Sequence, residues 1–201
     1  MRKRTATIKR KTKETDITVK LNIDGSGKAK INTGIGLLDH MLELFAFHGL
    51  FDLDITAKGD LKVDIHHTNE DVGIVLGQAF DEALGDKKGI KRFGSASVPM
   101  ENAVATVVVD ISGRVFFERI KGSAPIFSGD MSGFSIESVN HFLESFAKKI
   151  GMNLDITLSS PSLDLHINLE PVFKALGIAL DQATQIYPRR KGIPSTKGVI
   201  D

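Results

Sequence analysis

Apolar and polar residues alternate along 5–8 and 17–23, the period-two pattern of half-buried strands. Asp24, Gly25, Ser26 and Gly27 form a turn, after which 28–31 resumes the alternation and predicts a hairpin with 17–23. The period then lengthens. Leu38, Met41, Leu42, Phe45 and Ala46 share one face of a predicted helix that follows Gly34, Ile35 and Gly36, with Asp39 as its expected N-cap and Gly49 as its C-cap. Strands are predicted over 53–57 and 61–65, with Lys58, Gly59 and Asp60 turning between them. A helix over 66–84 follows, stopped by Gly85, and 89–94 connects it to the rest.

The pattern restarts near Ser95. A Val-rich strand is predicted over Ala103–Asp110, a turn at Ser112 and Gly113, and a hairpin partner over 115–120. A looser loop over 122–133 leads to a helix over 136–149, a strand over 153–158, a turn over 159–162 and a last helix reaching about Ile186. The tail, 188–201, has no periodicity. These halves are one unit written twice. His40-Met-Leu-Glu-Leu-Phe-Ala46 returns as His141-Phe-Leu-Glu-Ser-Phe-Ala147, and Leu53-Asp-Ile-Thr56 returns unchanged as Leu154-Asp-Ile-Thr157, both shifted by 101 positions (141 − 40). Asp64, His66, Glu70, Val72, Ala79, Asp81 and Ala83 match Asp164, His166, Glu170, Val172, Ala179, Asp181 and Ala183, shifted by 100 (166 − 66). Two copies are too few for a solenoid. They predict one duplicated α+β domain with halves 1–94 and 95–201, each a small, mainly antiparallel sheet with helices on one face.

Composition narrows the chemistry. With 201 residues, 41% hydrophobic and 25% charged, the chain has material for an ordinary globular core. A net charge of +1 singles out no polyanionic partner. The basic start (Arg2, Lys3, Arg4, Lys9, Arg10, Lys11, Lys13) lacks interleaved aromatics, so it reads as the solvent face of an edge strand and not as a nucleic-acid footprint. It also lacks the apolar core of a secretory signal, and no apolar run approaches the roughly 20 residues of a membrane span. A cytoplasmic protein is expected. Cysteine is absent, so a metal would be held by His, Asp or Glu alone.

Candidate ligands of that kind recur in the repeat. His66 and Glu70 are four residues apart, as are His166 and Glu170, which stacks imidazole and carboxylate on one helix face. Such a pair suits a borderline divalent ion such as Zn, Mn, Fe or Ni. A single His-x-x-x-Glu is as readily a polar first turn, but the second copy points to two pseudo-equivalent sites. Each half adds one helix-borne histidine, His40 or His141. His67, one step round the helix from His66, faces a different ion. Of six histidines, only His48 falls outside this scheme, and it reads as a structural helix-end residue.

These residues carry a resemblance. Thr33-Gly-Ile-Gly-Leu-Leu-Asp-His-Met-Leu42, Gly59-Asp-Leu61, His66-His67-Thr-x-Glu70-Asp71, Gly113-Arg114, Glu170-x-x-Phe173-Lys174-Ala175 and Pro194-Ser-Thr-Lys-Gly198 resemble imidazoleglycerol-phosphate dehydratase of histidine biosynthesis, over essentially the whole chain. The resemblance implies a ribosomal protein S5 domain 2-like fold, and the loss of water from imidazole glycerol phosphate to give imidazole acetol phosphate. It implies two Mn(2+) ions and an octahedral 24-mer with active sites between subunits. Metal ligation by His40, His66, His67, Glu70, His141, His166 and Glu170 is implied, as are phosphate contacts from Arg92, Arg114, Ser195 and Lys197. Glu14 and Lys174 match further substrate-site positions and join Glu70 and Glu170 as candidate catalytic residues. The residue types fit: Arg grips phosphate through two N–H groups at once, and Lys and Ser add single donors.

The chain also departs from the family pattern. Ile167 stands where the family has a second adjacent histidine, and Ser162 and Asp164 replace the Gly and Asn before that pair. Leu44 replaces a Gln, Glu101 and Asn102 an Asp-Glu pair, and Asp155 a His. Ile167 is the repeat counterpart of His67, so one ion loses an imidazole, expected at the site of His66 and Glu70. The leading expectation is a metal-dependent dehydratase. A catalytically impaired relative that keeps metal and phosphate binding is the alternative, and an RNA-binding α+β domain is a third reading.

Overall fold

A computed structural model describes residues 3–122 and 133–200. The first half runs β1 (Thr5–Lys11), β2 (Thr15–Asn22), β3 (Ala29–Asn32), α1 (Gly36–His48), β4 (Asp52–Gly59) and α2 (His66–Leu84). The second repeats it as β5 (Phe93–Met100), β6 (Ala103–Asp110), β7 (Lys121–Gly122), α3 (Ile136–Ile150), β8 (Asn153–Ser159) and α4 (Leu165–Thr184). Each half makes a four-stranded sheet, ordered β1-β2-β4-β3 and β5-β6-β8-β7. Only β3–β4 and β7–β8 are parallel, and an α-helix makes each of those crossovers. The duplicated α+β architecture is therefore present, with one connectivity used twice.

Two expected strand pairings, one expected strand and one cap differ. Strand β3 is not a hairpin partner of β2, because β4 inserts between them: Leu53 pairs with Leu21 on one side and Ala29 on the other. The turn that looked like a hairpin is tied to the start of β4, where Asp52 Oδ1 accepts from the backbone N–H of Ser26 (2.8 Å) and Lys28 (3.2 Å). Residues 115–120 likewise leave β6 and run along β8, with Leu154 donating its N–H to Phe116 at 2.8 Å. Residues 61–65 are a turn, closed by Val63 N–H on the Asp60 carbonyl at 2.7 Å, and not a strand. Asp39 lies inside the first turn of α1; its carboxylate reaches back to the Thr33 backbone N–H at 2.8 Å and to the Thr33 hydroxyl. Of the loop expected over 122–133, residues 123–132 lie outside the described residues. The basic N-terminal strand β1 is a sheet edge, pinned by Arg10 Nε on Asp71 at 2.9 Å.

The alternation buries one face of each sheet. Ile17, Val19 and Leu21 of β2 and Ala105, Val107 and Val109 of β6 are almost wholly buried, and they pack under α2 and α4 respectively. The helices then pair across the repeat, α1 on α4 and α2 on α3. Phenylalanines fill the space where they meet: Phe45 of α1, Phe80 of α2 and Phe146 of α3 are mutually edge-on, with ring centroids 5.7–6.1 Å apart. Phe142 of α3 touches Phe173 of α4 at 5.9 Å, so all four helices share one aromatic cluster and both halves share one core. Among the described residues no helix is long and apolar enough to cross a membrane.

Glycines set the closeness of these helix pairs. A Cβ on Gly177 of α4 would lie 2.5 Å from the Phe45 carbonyl oxygen of α1. On Gly77 of α2 it would lie 2.7 Å from the Phe146 carbonyl oxygen of α3. Both obstacles are backbone, which cannot swing aside. Gly77→Val should therefore cost about 2 kcal/mol or more through overpacking, despite removing a residue of poor helix propensity. Urea denaturation should show the loss as a lower midpoint at an unchanged slope.

Candidate active site

The helix pairing decides which histidine joins which motif. Helices α2 and α4 begin at equivalent points, where Asp64 and Asp164 each accept from the backbone N–H of His66 or His166 at 2.8 Å. Because α1 lies on α4, His40 of the first half meets His166 and Glu170 of the second. Because α3 lies on α2, His141 of the second half meets His66 of the first, with ring centroids 5.0 Å apart. Each set is thus built from both halves of one chain, which the repeat pattern alone did not show.

The first trio is tightly drawn. His166 Nε2 lies 2.7 Å and His40 Nε2 3.3 Å from the same Glu170 oxygen, and the two imidazoles stack at 5.1 Å. Lys174, one turn further along α4, donates to the other Glu170 oxygen. Burial alone would push the Glu170 carboxyl up, but hydrogen bonds from Lys174, His40 and His166 prevail and lower it to about 2. Glu170 is therefore an anion throughout the physiological range. One donor atom from each of His40, His166 and Glu170 falls within 4.8 Å of the others, and among the described residues this is the one group of its kind.

The second trio is looser and wetter. His66 Nε2 is 3.5 Å from Glu70, and both side chains are close to half exposed. His67 turns away from it, as the helix geometry required. Its Nδ1 lies 3.0 Å from Asp60 and 3.8 Å from Glu14 at the β1–β2 turn. The Asp60 hydrogen bond raises the His67 pKa above its ordinary value. It also occupies Nδ1, so Nε2 is the nitrogen left for an ion, the arrangement in which a carboxylate orients a metal-binding imidazole. Sequence reasoning gave Asp60 no role, although its Gly59-Asp-Leu61 setting was among the residues singled out. His48 also gains a neighbourhood: burial lowers its pKa, and Lys174 and Glu170 are close enough to act on it.

The phosphate candidates lie elsewhere. Arg92 has a left-handed backbone (φ 77°) and donates its N–H to the Ala183 carbonyl at 2.8 Å, at the last turn of α4. Its guanidinium grips Asp110 with two N–H groups, at 2.6 and 3.0 Å, and reaches the Pro194 carbonyl at 3.0 Å. That contact gathers Ser195 and the start of the tail beside Arg92. In the tail, Ser195 Oγ accepts from the Lys197 backbone N–H at 3.2 Å, and the Lys197 side chain is exposed. Arg114 is exposed just past β6, where Gly113 N–H bonds to the Gly151 carbonyl at 2.9 Å. His166 opens α4 and Ala183 nearly closes it. At 1.5 Å per residue, about 25 Å of helix separates the trio from Arg92 within one chain.

Comparison with known proteins gives the chain a family. The family model described as imidazoleglycerol-phosphate dehydratase matches residues 33–180. The imidazoleglycerol-phosphate dehydratase of Thermoanaerobacter pseudethanolicus is 55% identical over 197 residues, covering 98% of this chain and 100% of the relative. That of a Geobacillus species is 54% identical, covering 98% and 99%. Among solved structures, the dehydratase of Staphylococcus aureus matches with a TM-score of 0.77 at 34% identity, over 90% of this chain and 99% of that one. The Pyrococcus furiosus structure matches with a TM-score of 0.76 at 36% identity, over 96% and 99%. With a family match across most of its length and relatives above half identity over nearly all of it, the chain belongs to the imidazoleglycerol-phosphate dehydratase family.

Proposed function

We propose that this chain is a metal-dependent hydro-lyase that converts imidazole glycerol phosphate to imidazole acetol phosphate and water in L-histidine biosynthesis, in the cytoplasm, with two Mn(2+) ions per active site. Family membership supports the reaction. The observation that carries the metal is the first trio, whose three donor atoms lie together with no sulfur among them. Imidazole and carboxylate donors fit Mn(2+), and cysteine is absent from the chain. His40, His166 and Glu170 would hold one ion, and His66, Glu70 and His141 the other. A bound ion supplies Lewis-acid stabilisation of negative charge on the substrate.

The chain's own groups do the rest. Lys174 orients Glu170 through its outer oxygen, leaving the inner one turned to the two imidazoles. Glu14, a half-exposed carboxylate at a hairpin tip beside His67, would accept or return a proton at a substrate carbon. Arg92, Arg114, Ser195 and Lys197 bind the phosphate. A three-carbon glycerol phosphate arm cannot span the length of α4, so Arg92 and the first trio of one chain cannot serve one substrate. The site is completed by another copy, in keeping with an octahedral shell whose sites lie between subunits. Val63 and Leu163, at 71% and 82% exposure, flank the two motifs at equivalent repeat positions and offer apolar surface for that contact. A catalytically impaired relative that retains binding is the second reading, favoured by Ile167 and Asn102.

Turnover of imidazole glycerol phosphate with added Mn(2+) tests the reaction. Product should form, stop on chelation and return with Mn(2+); bound substrate without product would support the second reading. His40→Ala should lower kcat by about a hundredfold or more, the scale of losing a principal catalytic group.

Sharing between copies has its own measurement. His166→Ala and Arg92→Ala variants, each inactive alone, should regain activity when reassembled together, since some sites then combine an intact trio with an intact phosphate pocket. A monomer by light scattering in Mn(2+), or no regain on mixing, would remove the shared site.

For the tail, Lys197→Ala should raise KM and leave bound metal unchanged. Equal loss of metal would contradict its assignment to phosphate.

A further inference from the structure

Written in register, the two halves differ in one compact set of residues. Glu14 directly precedes β2 and Asn102 directly precedes β6, so both sit at the same hairpin tip. The turn that carries Asp60 corresponds to Ser160, Pro161 and Ser162, which hold no ionisable group. His67 corresponds to Ile167. Space confirms the register. Glu14 and Asp60 both face His67, and Asn102 Nδ2 donates to the Ser160 carbonyl at 2.9 Å. Every member of the Glu14–Asp60–His67 group therefore has a neutral counterpart, and an imidazole has become an aliphatic side chain.

Among the described residues, neither Asn168 nor Asp164 is free to stand in for that imidazole. Asn168 is buried, with its carbonyl taken by Ser162 N–H at 2.8 Å and its amide donating to the Ser162 carbonyl at 2.8 Å. Asp164 is engaged by the His166 backbone. The trios differ in the same sense. Glu170 has Lys174 to hold its outer oxygen, while the counterpart of Lys174 is Ile74, and Glu70 stays near half exposed. The first trio is assembled and the second is open.

We infer that the chain has one working donor face (Glu14, Asp60, His67) and one retired face (Asn102, 160–162, Ile167), so that it binds two ions unequally. This rests on the proposed metal dependence. The tight site is His40, His166 and Glu170, preassembled in the single chain and open to a His67 from another copy. The weak site is His66, Glu70 and His141, which meets Ile167 where a fourth ligand belongs. An imidazole supplied from solution fills that position, because ion affinity follows ligand number and type.

Mn(2+) titration of the full chain, followed by electron paramagnetic resonance and by ion count after gel filtration, reads this directly. One ion per chain should bind at least about tenfold more tightly than the second, the scale of a lost ligand-sphere contact. His40→Ala should remove the tight ion and His141→Ala the weak one. Free imidazole should strengthen the weak ion in the unaltered chain, and should do so much less in Ile167→His, whose second ion is already tight. Should Ile167→His fail to fold, the imidazole titration alone decides. Two equally tight ions, loss of the tight ion in His141→Ala, or no response to imidazole would overturn the inequality while leaving metal dependence intact. No bound ion at all would overturn both.

Discussion

Close contact between helices of opposite halves is the constraint on which the site depends. Gly177 lets α4 settle on the backbone of α1, and Gly77 lets α2 settle on α3. A larger residue at either point would hold the helix axes apart, and with them the side chains the helices carry toward each other. His40 sees Glu170 only because α1 and α4 touch. The duplication is therefore more than a doubling of material. Neither half could assemble a trio by itself, since each trio takes one histidine from one half and a His-x-x-x-Glu from the other.

Electrostatics then distinguishes trios that the backbone makes alike. In the first, one carboxylate receives two imidazoles and an ammonium, and these outweigh the cost of its partial burial. Lys174 contributes by occupying one Glu170 oxygen, which leaves the other oxygen and the two ring nitrogens pointing into a common space. In the second, a single carboxylate lies at the edge of contact with one imidazole in solvent. Backbone symmetry is preserved from α2 to α4, while side-chain preorganisation is not.

Much of this was legible in the chain itself. Strand alternation, the two helix-opening motifs and the shift of about 100 positions identified the duplicated α+β unit, because each reflects local periodicity that burial enforces. What misled was pairing. The Asp24 to Gly27 turn has hairpin composition, yet β4 displaces β3 from β2, because Asp52 captures the turn and the returning helix delivers a strand into the gap. Residues 115–120 were misassigned for the same reason: a crossover fills the slot beside β6. Which partner a strand takes depends on chain that comes later, and no window around the turn contains it. The candidate ligands were legible as a list but not as two sets, since joining His40 to His166 is a statement about helix packing. Asp60 was missed because its role exists only through the His67 ring above it.

Arg92 and the first trio stand at opposite ends of one helix. Arg92 is fixed by three restraints at once: its backbone N–H on α4, its guanidinium on Asp110, and the tail carbonyl of Pro194. So firm an anchorage at the C-terminal end of α4 cannot relax toward ligands at the N-terminal end, because the helix between them is a rigid spacer of about 25 Å. His67 makes the complementary statement at the other end. Its Nδ1 is held by Asp60, its Nε2 is turned away from that bond, and neither trio of its own chain contains it. One chain thus carries Arg92 at one end of α4 and the His40–His166–Glu170 trio at the other, with His67 oriented outside both trios. In the proposed shared site each would act against the corresponding surface of another copy, so that residues far apart along one helix would belong to one reaction.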